Sequence, residues 1–169
     1  MSAESPNIGV LSPKFLEILF EEHYLTSPRS QADFLQYLAA KNFPEELIGA
    51  FREVRREFFM PGGVPLEYTY TARPWPLADN LWAASISDPN LVAEMTRQLL
   101  VQRGQKVLEI GTGAGYQAAV LRYLVGEGGE VISCDIFEEV TKLASDNLKR
   151  AEISGVALIT TDASGGYAE

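Results

Sequence analysis

A single cysteine, Cys134, and a single histidine, His23, stand in the 169-residue chain. One thiol cannot close an internal disulfide, and without a Cys/His cluster there is no basis for zinc. The acids lack calcium-loop spacing, so no metal site is expected. Cations are also scarce: fourteen Lys and Arg face twenty-three Asp and Glu, a formal charge of −9. That balance repels polyphosphate and anionic lipid, and argues against nucleic acid or a membrane surface as partner. No apolar run approaches the roughly 18 residues of a membrane-spanning helix; the stretch around Leu99 is broken by Arg97 and Gln98. The N-terminus, MSAESPNIGV, lacks the charged-then-apolar order of a secretory signal, so the cytoplasm is the expected compartment. Repeats and low-complexity tracts are absent as well.

What is present, at 46% hydrophobic residues, is enough apolar material for one ordinary domain with an N-terminal extension. Residues 1–12 show no periodicity and read as a loose lead-in. From Pro13, Phe15, Leu16, Leu19, Phe20 and Tyr24 recur at helical spacing, and Phe34, Leu35, Leu38 and Ala39 repeat the pattern after Ser27-Pro28. A third helix after Pro44 places Leu47, Ile48, Phe51, Val54 and Phe58 inward and Arg52, Arg55, Arg56 and Glu57 outward. Residues 61–90, rich in Pro and aromatics, read as an ordered loop between this helical region (1–60) and the segment 91–169. A helix starting at Asp88-Pro89 buries Leu91, Val92, Met95, Leu99 and Leu100 and stops at Gly104.

Beyond Gly104 the pattern changes to strand KVLEI, a glycine turn, a helix Tyr116–Val125, strand EVISC, a helix Glu138–Ala151 and strand VALITT. Parallel pairing with right-handed crossovers follows. In VLEIGTGAGYQAAVL, Gly111, Gly113 and Gly115 permit a tight strand-to-helix turn that lets a ligand approach the backbone. A dinucleotide fingerprint would place a third glycine where Tyr116 stands, and an apolar residue where Glu109 stands. An acid here attracts a cationic ligand and would repel a diphosphate. Asp135 ends the second strand, where a carboxylate commonly accepts two ribose hydroxyls, and Asp162 ends the third. The plainer reading, in which the glycines only turn the chain and the acids only cap helices, leaves their common register unexplained.

Several segments carry a family resemblance: FLQYLAAKNFPEELIGAFREVRREFFMP, Tyr70 with Arg73-Pro74 and Pro76, Ser85-Ile86-Ser87-Asp88-Pro89, and VLEIGTGAGYQAAVL. From Phe34 to Tyr167 the chain resembles the protein-L-isoaspartate O-methyltransferases. It departs from their pattern at Arg55, which replaces a proline, at Ser85, which replaces a threonine, and at ADNLWAA, which replaces Gly-His-Gly-Gln. The resemblance implies a Rossmann-like α/β domain binding S-adenosylmethionine, truncated after its third strand, with an N-terminal helical extension. It assigns Glu109, Gly111, Thr112, Gly113, Gly115, Asp135, Ile136, Asp162 and Ala163 to the cofactor, with Asp162 beside the adenine. Ser87 and Ser85 become the catalytic pair that orients the carboxylate of an isoaspartyl residue in a peptide or protein.

That carboxylate is already ionised at neutral pH, so its methylation needs no general base, only in-line contact in a water-poor pocket. The absence of a usable His or Cys is therefore no objection; Cys134 is expected to be a buried, inert thiol. Ser87 also reads as a helix cap before Asp88-Pro89. Trp75, Trp82, Tyr68 and Tyr70 read equally as a peptide-binding wall or as anchors of the loop. Arg73 suits a substrate carboxylate or a surface acid. Two alternatives stand beside isoaspartyl repair. The segment PGGVPLEYTY resembles that of carboxylate methyltransferases tailoring ribosomal peptide natural products. An open-edged three-stranded sheet also fits a non-catalytic module completed by a partner chain or self-association.

Overall fold

A computed structural model describes residues 9–14, 16, 28–79 and 84–167. The helix expected from Pro13 falls mostly outside the described residues, as do His23 and Trp82. Residues 9–11 correct the expectation of a loose lead-in. Gly9 donates to the Leu77 carbonyl, Leu11 donates to that of Gly62, and the Leu11 side chain is buried. Backbone pairing with residues distant in sequence pins a segment whose composition alone carries no periodic signal.

Helix α1 (Gln31–Ala40) starts at Ser30, whose hydroxyl accepts the Asp33 amide, and buries Phe34 and Leu38. Helix α2 (Glu45–Glu53) starts after Pro44 with Glu45 and Glu46 in its first turn, where the helix dipole favours acids, and buries Leu47, Ile48, Ala50 and Phe51. It ends sooner than its apolar spacing suggests, and a 3-10 turn (Arg56–Phe59) follows. Arg56, expected to face solvent, is fully buried there. Helical periodicity lapses at Val54, and the guanidinium finds backbone carbonyls inside.

The loop of residues 61–90 forms one short antiparallel pair, β1 (Trp75–Pro76) with β2 (Ser85–Ile86). Trp75 and Tyr70 are buried and Arg73 stacks 4.7 Å from the Trp75 ring, so these two aromatics anchor the loop. Helix α3 (Pro89–Leu99) is capped by Asp88, which accepts the Asn90 amide; Ser87 is not the cap. Only part of the expected stripe is buried. Val92 and Ala93 lie inside, whereas Leu91, Met95, Leu99 and Leu100 are exposed. Periodicity identified the apolar side of this helix, but among the described residues only part of that side meets a partner.

Three parallel strands, β3 (Lys106–Ile110), β4 (Glu130–Asp135) and β5 (Val156–Thr160), pair in that order, joined by α4 (Tyr116–Val125) and α5 (Glu138–Arg150). Two right-handed crossovers advancing in the same direction put both helices on one face of the sheet. On that face Val107, Val131 and Val156 pack against Ala118, Leu121 and Val125 of α4. Because side chains alternate along a strand, Leu108, Ile132 and Ala157, then Ile110, Cys134 and Ile159, point the other way. Among the described residues no helix covers that face, and Leu108 and Ile110 are 42% and 62% exposed. No described helix is long and apolar enough to cross a membrane.

Candidate functional site

The β3-to-α4 turn is built by three glycines at positive φ: Gly111 (+93°), Gly113 (+52°) and Gly115 (+84°). The amides of Gly111 and Thr112 donate to the Cys134 carbonyl at 2.8 and 3.2 Å, which holds the turn against the end of β4. Gly115 packs on Ala144 of α5, where an added Cβ would meet the Ala144 Cβ at 3.1 Å. Gly113 faces the other way, and a Cβ there would meet the Ser85 carbonyl oxygen at 2.8 Å. That contact joins the glycine turn to the loop of residues 61–90.

Between α3, the β2 end and the edge of β3 that pairs with no strand among the described residues lies a cleft of about 580 Å³. Ser85, Ser87, Glu109, Gly111, Thr112 and Gly113 line it together with the apolar Val92, Met95, Leu99 and Leu121. Six of the residues expected at the site therefore share one cavity. The hydroxyls of Ser85 and Ser87 make no hydrogen bond among the described residues, so both are available to a ligand.

Neither Gly115 nor Asp135 lines the cleft, although Asp135 is tied to it through the Gly113 amide. One carboxylate oxygen accepts the Gly113 amide at 3.2 Å and the other the Phe137 amide at 3.2 Å. Each oxygen keeps a free lone pair. Ile136 is exposed beside it at the end of β4, whereas Asp162 and Ala163 sit just past β5. None of these three lines the cleft. Asp162 accepts the Ser164 amide at 2.9 Å, which holds its carboxyl below the usual carboxylate range, and Ala163 is buried.

Glu109 is the electrostatic centre. Removal from water pushes its carboxyl up to about 7, and the nearby Asp135 charge adds to the rise. Ser133 opposes this by donating to Glu109 Oε2 at 2.5 Å, while its own oxygen lies 2.7 Å from the Thr112 hydroxyl. A carboxylate held half out of water, with no cation among its hydrogen-bond partners, suits a positively charged ligand and disfavours a pyrophosphate.

Four supporting residues escaped the sequence reading. Ser133 looked like an ordinary strand residue, although its in-register pairing with Glu109 was implicit in the parallel order. Asn147 donates from inside α5 to the Ala114 carbonyl at 3.0 Å and accepts from Arg150 at 2.7 Å. The Tyr116 ring packs 5.4 Å from Phe59, and Arg56 lies 5.1 Å over it. A buried asparagine on a helix's inner face was the one local signal available. Cys134 is buried, as expected, and burial raises its thiol. Among the described residues no cluster of His, Cys, Asp or Glu could hold a metal ion.

Residues 29–169 match the family model described as protein-L-isoaspartate(D-aspartate) O-methyltransferase. A protein-L-isoaspartate O-methyltransferase of Methanococcoides burtonii is 34% identical over 80% of this chain and 64% of its own length. One from Methanospirillum hungatei is 41% identical over 73% of this chain and 54% of its own. The chain thus spans between about half and two thirds of these relatives. A solved protein-L-isoaspartate O-methyltransferase superposes with a TM-score of 0.72 at 30% identity, over 79% of this chain and 42% of the other. A Plasmodium falciparum structure, titled as a putative protein-L-isoaspartate O-methyltransferase in complex with S-adenosyl-L-homocysteine, shares the fold with a TM-score of 0.65 at 16% identity.

Proposed function

This chain belongs to the protein-L-isoaspartate(D-aspartate) O-methyltransferase family, and from that premise we propose that it carries the S-adenosylmethionine seat and part of the acceptor site of a carboxyl O-methyltransferase. The substrate is the α-carboxylate of an isoaspartyl residue in a peptide or protein, the repair-type reaction. One observation supports this best: Gly113, whose amide donates to Asp135 and whose α-carbon abuts the Ser85 carbonyl, lines one cleft together with Glu109, Ser85 and Ser87.

The residues present fit the cofactor. Gly111 has open space above it, so a ligand can lie on its backbone. Glu109 offers a carboxylate to the ammonium or sulfonium, and Asp135 retains lone pairs for ribose hydroxyls. The family likeness adds Thr112, Gly115 and Ile136 to the seat, with Asp162 and Ala163 on the adenine side; of these five only Thr112 lines the cleft. When bound, the cofactor supplies an electrophilic methyl group and leaves as a neutral thioether. The acceptor carboxylate provides the electron pair of the new O–CH₃ bond, so no protein base is required. Ser87 and Ser85 donate hydrogen bonds to the carboxylate and align it in line with the donor. Val92, Met95 and Leu99 give the cleft an apolar wall, the kind of surface that favours a step in which opposite charges are neutralised.

The test is twofold. Calorimetry with S-adenosylhomocysteine on this chain should show one site, abolished by Glu109→Ala. Labelled S-adenosylmethionine with an isoaspartyl peptide should give a base-labile methyl ester; its absence with a protein of the relatives' full length would refute the assignment. The uncovered sheet face favours a second reading, a cofactor-binding module completed by another chain. Cofactor binding without methyl transfer until a second polypeptide is added would support that one.

A further inference from the structure

We propose that Arg56 is a positioning residue for the acceptor side of the cleft: by clamping the Ser87 carbonyl it holds the Ser85–Ser87 ledge against the glycine turn. Its kinetic consequence rests on the methylation reading above; its structural consequence rests on geometry alone.

Arg56 is fully buried and links three segments far apart in sequence. Its Nε donates to the Thr69 carbonyl at 2.7 Å, and its Nη2 donates to the Ser87 carbonyl at 2.8 Å. Its guanidinium carbon lies 5.1 Å over the ring of Tyr116, the first residue of α4. Its own amide donates to the Tyr70 hydroxyl at 3.3 Å, and that hydroxyl donates to Glu57 at 2.9 Å.

As a stabilising device this is a poor use of a core position. The hydrogen-bond acceptors are carbonyls rather than a carboxylate, and neither Arg56 Nη1 nor the Tyr116 hydroxyl has a partner among the described residues. A buried charge so incompletely paired is commonly matched or bettered in stability by an apolar residue of similar volume. What the planar fork supplies is direction: two acceptors held at a fixed angle and one face stacked on an aromatic ring. The ledge it holds is short. Ile86 is buried between Ser85 and Ser87, and the Ser85 carbonyl is the atom that abuts Gly113. A shift at the Ser87 carbonyl is therefore passed directly to both hydroxyls. Arg56 does not line the cleft, so it acts through Ser87 and touches no ligand.

Arg56→Lys and Arg56→Met in the full chain test the clamp. A lysine reaches one carbonyl but not both. Amide hydrogen exchange at residues 85–87 should quicken at least tenfold while the β3 amides stay as in the parent protein, and the Kd for S-adenosylhomocysteine should stay within threefold. Turnover of an isoaspartyl peptide should fall at least tenfold, with Arg56→Lys between the parent and Arg56→Met. Unchanged exchange at 85–87, or exchange that quickens equally across β3, β4 and β5, overturns the proposal. So does a loosened ledge with undiminished turnover. Should Arg56→Met fail to fold, Arg56→Lys decides. A parent protein that forms no methyl ester even at the relatives' full length refutes the methylation reading and leaves the clamp to be judged by exchange.

Discussion

The carbonyl oxygen of Ser85 occupies the space in which residue 113 would carry a Cβ, 2.8 Å from its ideal position. Glycine is thus required at 113 by a contact between two segments, and at 111 by its backbone angle alone. Gly113→Ala must push the Ser85–Ser87 ledge away and is expected to cost about 2 kcal/mol, the scale of an overpacked contact plus a left-handed alanine. Gly111→Ala bears only the conformational strain, about 1 kcal/mol. Chemical denaturation of both variants, with S-adenosylhomocysteine calorimetry, should rank Gly113→Ala as the more harmful in stability and in binding.

Glu109 makes both stability and binding depend on pH. Its folded value of about 7 lies above the ordinary 4.5, so the folded state holds this proton more tightly than the unfolded chain does. Its contribution is most favourable below about 4.5, declines as pH rises toward 7, and is an unfavourable plateau above that. The full penalty is at most about 3 kcal/mol, because the side chain keeps some access to water. Glu109→Gln should flatten that decline. A cationic ligand should expel the proton, so heats of S-adenosylmethionine binding near pH 7 should vary with the ionisation enthalpy of the buffer. Buffer-independent heats would show that Glu109 is already ionised.

Ser133 lowers the Glu109 value by donating to it. Ser133→Ala should therefore move the Glu109 titration, followed by carbon NMR of its carboxyl, to still higher pH. The lost hydrogen bonds should cost about 1 kcal/mol in stability.

Asn147 closes the far side of the turn by donating to the Ala114 carbonyl. Asn147→Leu leaves that buried carbonyl unpaired and should destabilise the chain by roughly 1–3 kcal/mol. Binding of S-adenosylhomocysteine should weaken while the titration of Glu109 stays in place, which separates this residue from Ser133.

The sheet face bearing Leu108 and Ile110 should behave as surface. Ile110→Thr is expected to change stability by no more than about 0.5 kcal/mol, whereas Val131→Ala, on the helix-covered face, should cost about 2 kcal/mol. Binding of a hydrophobic dye to the native chain should diminish in Leu108→Ser.

Much of this was legible in the amino-acid order, because it rests on patterns only a few residues long. Strand alternation in KVLEI, the helical repeat of Tyr116–Val125 and the glycine spacing each report a local backbone preference, and the acids at strand ends follow from the parallel order. The elements of the three-stranded unit accordingly lie within a residue of where periodicity puts them. Other features depend on pairs distant in sequence, to which local periodicity is blind. Arg56 read as an outward cation until its partners at Thr69 and Ser87 came into view, 13 and 31 residues away. The half-exposed stripe of α3, the pinning of residues 9–11 by Leu77 and Gly62, and the pairing of Glu109 with Ser133 share that character. Apolar spacing says which side of a helix seeks cover, but only the folded arrangement decides whether cover is there. A charge on the chain likewise does not reveal whether water or a carbonyl will solvate it.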